Sequence, residues 1–219
     1  MLDMGFIPDV ERIVSLLPQI RQTLFFSATL SEDIHRISGK FVSNPKVIEV
    51  APPASTADTV AQHLTWTDMK GKRDALRRLL RNEDVKNAVI FCNRKRDIGG
   101  LIRSLTRHGF DAVALHGDMS QSARLEALQK FKDGEVPLLI ASDVAARGLD
   151  IAGLSHVFNF DVPSSAEDYV HRIGRTGRAG KSGRAFTIAA TKDDRRYIGA
   201  IEKLIGKSIP LFDDAPDTG

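Results

Sequence analysis

Ala88-Val89-Ile90-Phe91-Cys92 is followed, two residues later, by the helical pattern Lys95–Arg107 and then by Ala112-Val113-Ala114-Leu115. A short unbroken apolar run reads as a buried strand, and the stretch between the two runs has helical length and periodicity. This strand–helix–strand unit repeats along the chain. Strands are expected at Val60–Thr65, Ala88–Cys92, Ala112–Leu115, Leu138–Ala141, His156–Asn159 and Ala185–Ala190. Helices are expected between them at Lys72–Leu80, Lys95–Arg107, Gln121–Lys132, Ala166–Ile173 and Asp193–Ile205. Strands alternating with helices of this length imply an α/β fold, a mostly parallel sheet with helices on both faces.

Upstream of this regular pattern the chain is less complete. Residues 1–50 read as a helix over Pro8–Leu17, a strand at Thr23–Phe26, a helix over Glu32–Phe41 with Ser31 as N-cap, and a strand at Val47–Val50. Pro8 suits a first helical turn and Ser31 an N-cap. Two helices and two strands are too few for a core, so this segment is a piece of a second α/β unit. Residues 51–58 contain Pro52-Pro53 and read as a linker, because adjacent prolines resist both helix and ladder. Residues 59–211 form the main domain. Residues 212–219 are an acidic tail, a frayed end or the start of an extension.

The 219 residues are 42% hydrophobic and 27% charged, which allows a sizeable core. The net charge is only +3, but the positive groups cluster at Lys70 to Arg81, at Arg94-Lys95-Arg96 and from Arg172 to Arg184. Such clusters suit nucleic acid or nucleotide phosphates better than a membrane, though a solvated basic face is the plain alternative. The single cysteine, Cys92, excludes an internal disulfide and fits a reducing, cytoplasmic setting. No apolar stretch is long enough to span a bilayer, and Asp3 and Asp9 interrupt any signal-like run.

In parallel sheets ligands sit at the carboxyl ends of the strands. There the chain carries Asn93 to Arg96, His116-Gly117-Asp118 and Ser142-Asp143. The loop Ser142–Asp150 combines a hydroxyl, two carboxylates, Arg147 and Gly148. It reads either as a holder for a sugar hydroxyl and a phosphate or as a polar connection in which Asp143 caps a short helix. His171-Arg172-Ile173-Gly174-Arg175-Thr176-Gly177-Arg178-Ala179-Gly180 sets an arginine at every third position. It reads either as a charged finger for a phosphoryl group or as a solvated basic loop. Gly180-Lys181-Ser182 and Gly206-Lys207-Ser208 look like the end of a phosphate loop, but the required first glycine is replaced by Arg175 and Ile201.

Taken in order, these stretches resemble the motifs of DEAD-box ATP-dependent RNA helicases. His171 to Arg178 resembles the sixth motif, Ser142 to Asp150 the fifth and Val89 to Asn93 the fourth. Gln121-Ser122-Ala123-Arg124 matches a Gln-x-x-Arg element, Ser27-Ala28-Thr29 the third motif, and Met1 to Phe6 the segment after the Asp-Glu-Ala-Asp box. Within the family the bacterial RhlE type is similar. The resemblance implies a RecA-like C-terminal domain preceded by the end of a second RecA-like domain. It implies arginine fingers at Arg175 and Arg178, ribose contacts at Asp150 with Gly148, and RNA-backbone contacts at Asn93, Gly117, Arg124 and Ser142. Ser142 stands where the family usually has threonine. His171 would couple to Ser27 and Thr29 of the third motif.

The Walker A loop, the Q motif and the Asp-Glu-Ala-Asp box of the family are absent from the 219 residues. The resemblance therefore implies a piece of a longer helicase, with ATP and Mg2+ used by the complete enzyme and neither held tightly here; no metal ligands are expected. The implied partners are RNA, read without sequence preference, and the rest of the N-terminal RecA-like domain. The arginine fingers are then expected to be exposed. Read from the residues alone, other roles stay open. Asn93 can cap the next helix, Arg124 can pair with Glu126 or Asp118, and His171 can be a satisfied core histidine. A non-catalytic RNA-binding module and a DNA helicase of the wider superfamily are the rival readings.

Overall fold

The chain runs α1 (Ile7–Ser15), β1 (Val60–Trp66), α2 (Lys72–Asn82), β2 (Ala88–Phe91), α3 (Lys95–Arg107), β3 (Ala112–Leu115), α4 (Gln121–Lys132), β4 (Leu138–Ala141), α5 (Asp143–Ala146), β5 (His156–Asn159), α6 (Ala166–Ile173), β6 (Gly183–Ala189) and α7 (Lys192–Ile205). The structure, a computed structural model, describes residues 7–26, 38–42, 44–48, 59–146, 151, 153–177 and 182–212. It divides into two units, Met1–Pro52 and Pro53–Gly219.

In the second unit six strands form one sheet in the order β1-β6-β5-β2-β4-β3. Every pairing is parallel, as in Ile90 opposite Ile140 on one side and Phe158 on the other. β2, β4 and β5 are buried along their whole length, because helices cover both faces. On one face α2 and α3 set Leu76, Leu79, Ile98, Leu101 and Leu105 against Ile90, Ile140 and Phe158. On the other, Phe131 of α4, Tyr169 and Ile173 of α6, and Ile198 and Ile201 of α7 cover Val89, Leu139 and Val157. Each fully buried Leu, Ile or Phe contributes about 1.5–3 kcal/mol by leaving water.

Helices α4, α6 and α7 start where side chains satisfy the first backbone donors. Ser120 accepts from the Ala123 amide at 3.2 Å, and Ser165 from the Asp168 amide at 3.3 Å. Thr191 and Asp194 form a reciprocal capping box. The expected elements of this unit shift by one or two residues: β6 begins at Gly183 because Val60 pairs with it, and α2 runs on to Asn82. Phe212, expected in the tail, is docked. Its amide donates to the Leu64 carbonyl at 2.8 Å, and its ring packs edge-on against Phe186 at 5.1 Å.

The first unit differs from expectation. Helix α1 and a helical turn at 38–41 are present, joined by an exposed Lys40–Glu11 pair at 3.0 Å. The expected strand at Thr23–Phe26 is not formed; Leu24 and Phe26 are 69% and 88% exposed. Val47 and Ile48 likewise make no ladder. A strand needs a neighbour for its amides and carbonyls, and none lies among the described residues of this unit. Residues 49–58, which include the expected linker, lie outside the described residues.

At the amino edge of the sheet His156 is buried, its Nε2 lying 3.3 Å from Glu83 Oε2, and the same carboxylate accepts from Arg184 Nη2 at 2.9 Å. Burial holds the His156 imidazole below its ordinary value of 6.5, and Glu83 only partly opposes this. The folded chain therefore binds fewer protons than the unfolded one as pH falls through that value, so stability drops on acidification. Thermal unfolding should show a lower midpoint at pH 5.5 than at 7.5, and His156→Gln should flatten part of the slope; parallel profiles would contradict the assignment.

Candidate functional site

The carboxyl edge of the sheet is organised around one buried guanidinium. Arg172, 2% exposed, projects from the last turn of α6. Its Nε and Nη2 donate to the two oxygens of Asp143 at 2.7 and 2.6 Å. Its Nη2 also donates to Asn93 Oδ1 at 2.7 Å, and its Nη1 to the Asp161 carbonyl at 2.7 Å and to Asn159 Oδ1 at 3.3 Å. Arginine has five N–H donors, and all five are used. The plane lies over the Phe91 ring, 5.1 Å from its centre.

The shell extends outward. Asn93 donates from Nδ2 to the Val162 carbonyl at 2.8 Å and from its amide to Asp161 Oδ2 at 3.0 Å. Asp161 Oδ1 accepts from Lys72, a buried lysine at the start of α2 whose ammonium also lies 4.7 Å from the Phe160 ring centre. Asn159 donates to Thr187 Oγ1 of β6 at 3.1 Å. A charge removed from water must be paired and fully hydrogen-bonded, and this network meets that requirement.

From Arg172 the chain leaves α6 through a loop fixed on both sides. The Gly174 amide donates to the Val170 carbonyl at 2.9 Å, and the Thr176 hydroxyl donates to the Leu154 carbonyl. The Leu154 amide donates to the Arg175 carbonyl at 3.2 Å, and Thr59 Oγ1 to the Gly177 carbonyl at 2.9 Å. Gly177 has φ +66°, and a Cβ there would lie 2.7 Å from Val60 Cγ2, so only glycine fits this turn. Arg175 sits on this clamped loop. It is half-buried, which corrects the expectation of an exposed finger: the bonds on either side hold its backbone against the domain. Phe91, Asp143, Ala146, Asp168, His171, Arg172 and Arg175 line a shallow pocket there, so His171 and Arg175 share one surface. Arg178, Gly148, Asp150, Ser27 and Thr29 lie outside the described residues.

The other expected residues gather along the same edge. Asn93, Gly117 and Ser142 follow the neighbouring strands β2, β3 and β4, and the Ser142 amide donates to the Leu115 carbonyl at 3.4 Å. Gly117 is exposed, with nothing within 4 Å of where a Cβ would stand. Arg124 lies in the first turn of α4. Its proposed acidic partners are taken elsewhere: Asp118 by Lys95 at 2.6 Å and Glu126 by Lys130 at 2.7 Å. Asn93 does not cap the next helix, whose N-cap Arg94 makes no side-chain bond. Asp143 opens α5, as the capping alternative had it, but its carboxylate is turned to Arg172. Among the described residues no group of three histidine, cysteine or carboxylate side chains could hold a metal ion, and no helix is long and apolar enough to cross a membrane.

Sequence reasoning missed Arg172, Asp161, Lys72 and Asn159. One signal was available: Arg172 stands three residues after Tyr169 and beside Ile173, on the buried face of α6.

The family described as helicase conserved C-terminal domain matches residues 71–180. A curated relative, the DEAD-box ATP-dependent RNA helicase CshA of Geobacillus kaustophilus, is 46% identical over 193 residues, covering 88% of this chain and 41% of its own. Among solved structures, the Escherichia coli DEAD-box protein SrmB, bound to regulator of ribonuclease activity A, is 34% identical with a TM-score of 0.66; the match covers 73% of this chain and 96% of that one. Saccharomyces cerevisiae Dbp5 bound to RNA and ADP BeF3 is 29% identical with a TM-score of 0.84, over 96% of this chain and 57% of that one. The chain belongs to the helicase conserved C-terminal domain family, in its DEAD-box branch. It spans less than half the length of the CshA relatives it matches.

Removing the carboxylate beneath Arg172 strands a buried charge, which costs about 3–5 kcal/mol. Asp143 keeps 23% of its side chain exposed, so Asp143→Ala should cost about 3 kcal/mol, the lower end of that range. Urea denaturation measures it, with Glu126→Ala, at an exposed pair, as the variant whose midpoint stays in place.

Proposed function

We propose that this chain is the C-terminal half of an ATP-dependent RNA helicase that couples ATP hydrolysis to local separation of RNA duplexes in the complete protein. The observation that carries the reading is the shallow pocket in which Arg175 and His171 meet Phe91 and Asp143 at the ends of β2 and β4, with the Arg175 backbone tied to Leu154. The names of the curated relatives and the RNA and ADP BeF3 held by Dbp5 support it.

In this reading ATP and Mg2+ are held chiefly by the partner RecA-like domain. Asp150, with Gly148 allowing close approach, meets the ribose. Arg175 and Arg178 reach the γ-phosphate and stabilise the charge that builds on its oxygens in the transition state. Such fingers contribute roughly 10³–10⁵ in rate. Arg172 touches no substrate; it is a positioning residue that sets the height of the finger loop above the sheet. RNA runs along the carboxyl edge past Asn93, Gly117, Ser142 and Arg124. It is gripped by phosphate and sugar, which positions a strand without reading its sequence. His171, Ser27 and Thr29 transmit closure of the two domains.

The chain alone should not turn over ATP, and RNA-stimulated ATP turnover by residues 1–219 would overturn that. In the complete protein Arg175→Ala should lower ATP turnover by roughly 10³–10⁵ and leave RNA affinity in place. Gly117→Ala should keep the folding midpoint, since the added methyl meets no protein atom within 4 Å, and weaken RNA binding at low salt. Unchanged RNA affinity would remove Gly117 from the RNA path. Salt-dependent RNA binding with no turnover even in the complete protein would favour a non-catalytic RNA-binding module.

A further inference from the structure

The two faces of the sheet carry different charge. Helices α2 and α3, which cover one face, hold nine lysines and arginines against two carboxylates. Helices α4, α6 and α7, on the other, hold eight against six. With a net charge of only +3 on the whole chain, this is a strong asymmetry.

The excess is organised. Arg73, Arg77 and Arg81 recur every fourth residue along α2, which puts them on one side of the helix over roughly 12 Å. Each is held against the next element. Arg73 lies across α3 at Gly100, where a Cβ would stand 3.1 Å from its Nη2. Arg77 donates to Ser104 Oγ of α3 at 3.0 Å. Arg81 stacks over Phe110, 5.7 Å from the ring centre. A glycine inside a helix costs about 1 kcal/mol against alanine, and Gly100 is where the α2–α3 seam uses the missing side chain. The one carboxylate on α2 is Asp74, paired with Arg77.

The strip also has a direction. At the start of α2, Lys72 pairs with Asp161 in the network at the carboxyl edge. Just past the end of α2, Glu83 meets His156 at the amino edge. The arginines therefore begin at the candidate RNA edge and run away from it down the flank.

We propose that the α2–α3 seam binds the phosphate backbone of RNA that continues beyond the strand gripped at the carboxyl edge. This rests on the RNA-binding reading above. Guanidinium groups held in a row by packing match a run of phosphates, and their grip carries no base preference. The site adds affinity for long RNA and none for a strand that ends at the core.

The test measures binding of two oligouridylates, about six and about twenty nucleotides long, by fluorescence anisotropy across a salt series. The proteins are the parent chain, a triple variant Arg73→Gln/Arg77→Gln/Arg81→Gln, and the charge-keeping triple Arg73→Lys/Arg77→Lys/Arg81→Lys. The glutamine triple should bind the long RNA roughly tenfold more weakly at low salt. Its slope of log affinity against log salt should shrink by about 2, while short-RNA binding stays at the parent level. The lysine triple, which keeps the charge and gives up only the planar guanidinium, should keep most of the long-RNA affinity. Long-RNA binding by the glutamine triple equal to the parent's overturns the proposal while leaving the RNA reading intact. So does a triple that loses only binding to polyglutamate, since the strip would then serve an acidic protein. A parent chain that binds neither RNA sinks the RNA reading, and this proposal with it.

Discussion

A guanidinium buried among five acceptors is the constraint on which the functional edge depends. Arg172 draws one acceptor group from the end of β2, two from the end of β5 and a carboxylate from the first turn after β4. A charge in that position cannot be left partly satisfied, because desolvation costs several kcal/mol per ion. The requirement therefore fixes three strand ends relative to α6, and α6 in turn launches the loop that carries Arg175. Phosphoryl transfer depends on positioning and electrostatics more than on covalent chemistry, so a rigid base under a finger serves the proposed function directly.

The two halves of the molecule's electrostatics act at different depths. At the carboxyl edge the charges are paired inside the protein, and their work is geometric. On the α2–α3 face Arg73 and Arg81 lie at the surface, set against Gly100 and the Phe110 ring, while Arg77 between them is held by Ser104 and Asp74. Paired charges build a site, whereas charges left with few carboxylates nearby attract a polyanion. Lys72 and Arg73, adjacent in sequence, fall on opposite sides of that division: one is buried against Asp161 and the other faces solvent across Gly100.

Most of the fold was legible because parallel strands buried on both faces must be apolar throughout. Ala88 to Phe91 and Leu138 to Ala141 are legible on that ground, and His156 to Asn159 by its apolar centre and its place between helices of matching length, its polar ends finding Glu83 and Thr187 inside the fold. The first unit was misread at Thr23–Phe26 because an apolar run specifies a strand only if a neighbour pairs with it, and propensity carries no information about that neighbour. Phe212 was misread for the opposite reason: its flanking acidic residues suggested a tail, while its ring had a place to pack against Phe186.

The sequence by itself determined the class of fold, the order of the motifs and the family they resemble, since these follow from periodicity and residue type along the chain. Only the tertiary structure decided which arginine of the His171–Gly180 stretch is structural. Arg172 and Arg175 are chemically identical and three residues apart. One finds Asp143, Asn93, Asn159 and Asp161 at its tip and is committed inside the protein. The other emerges on a loop whose backbone is tied to Leu154. Those acceptors come from strands separated by tens of residues, and only folding brings them to one point.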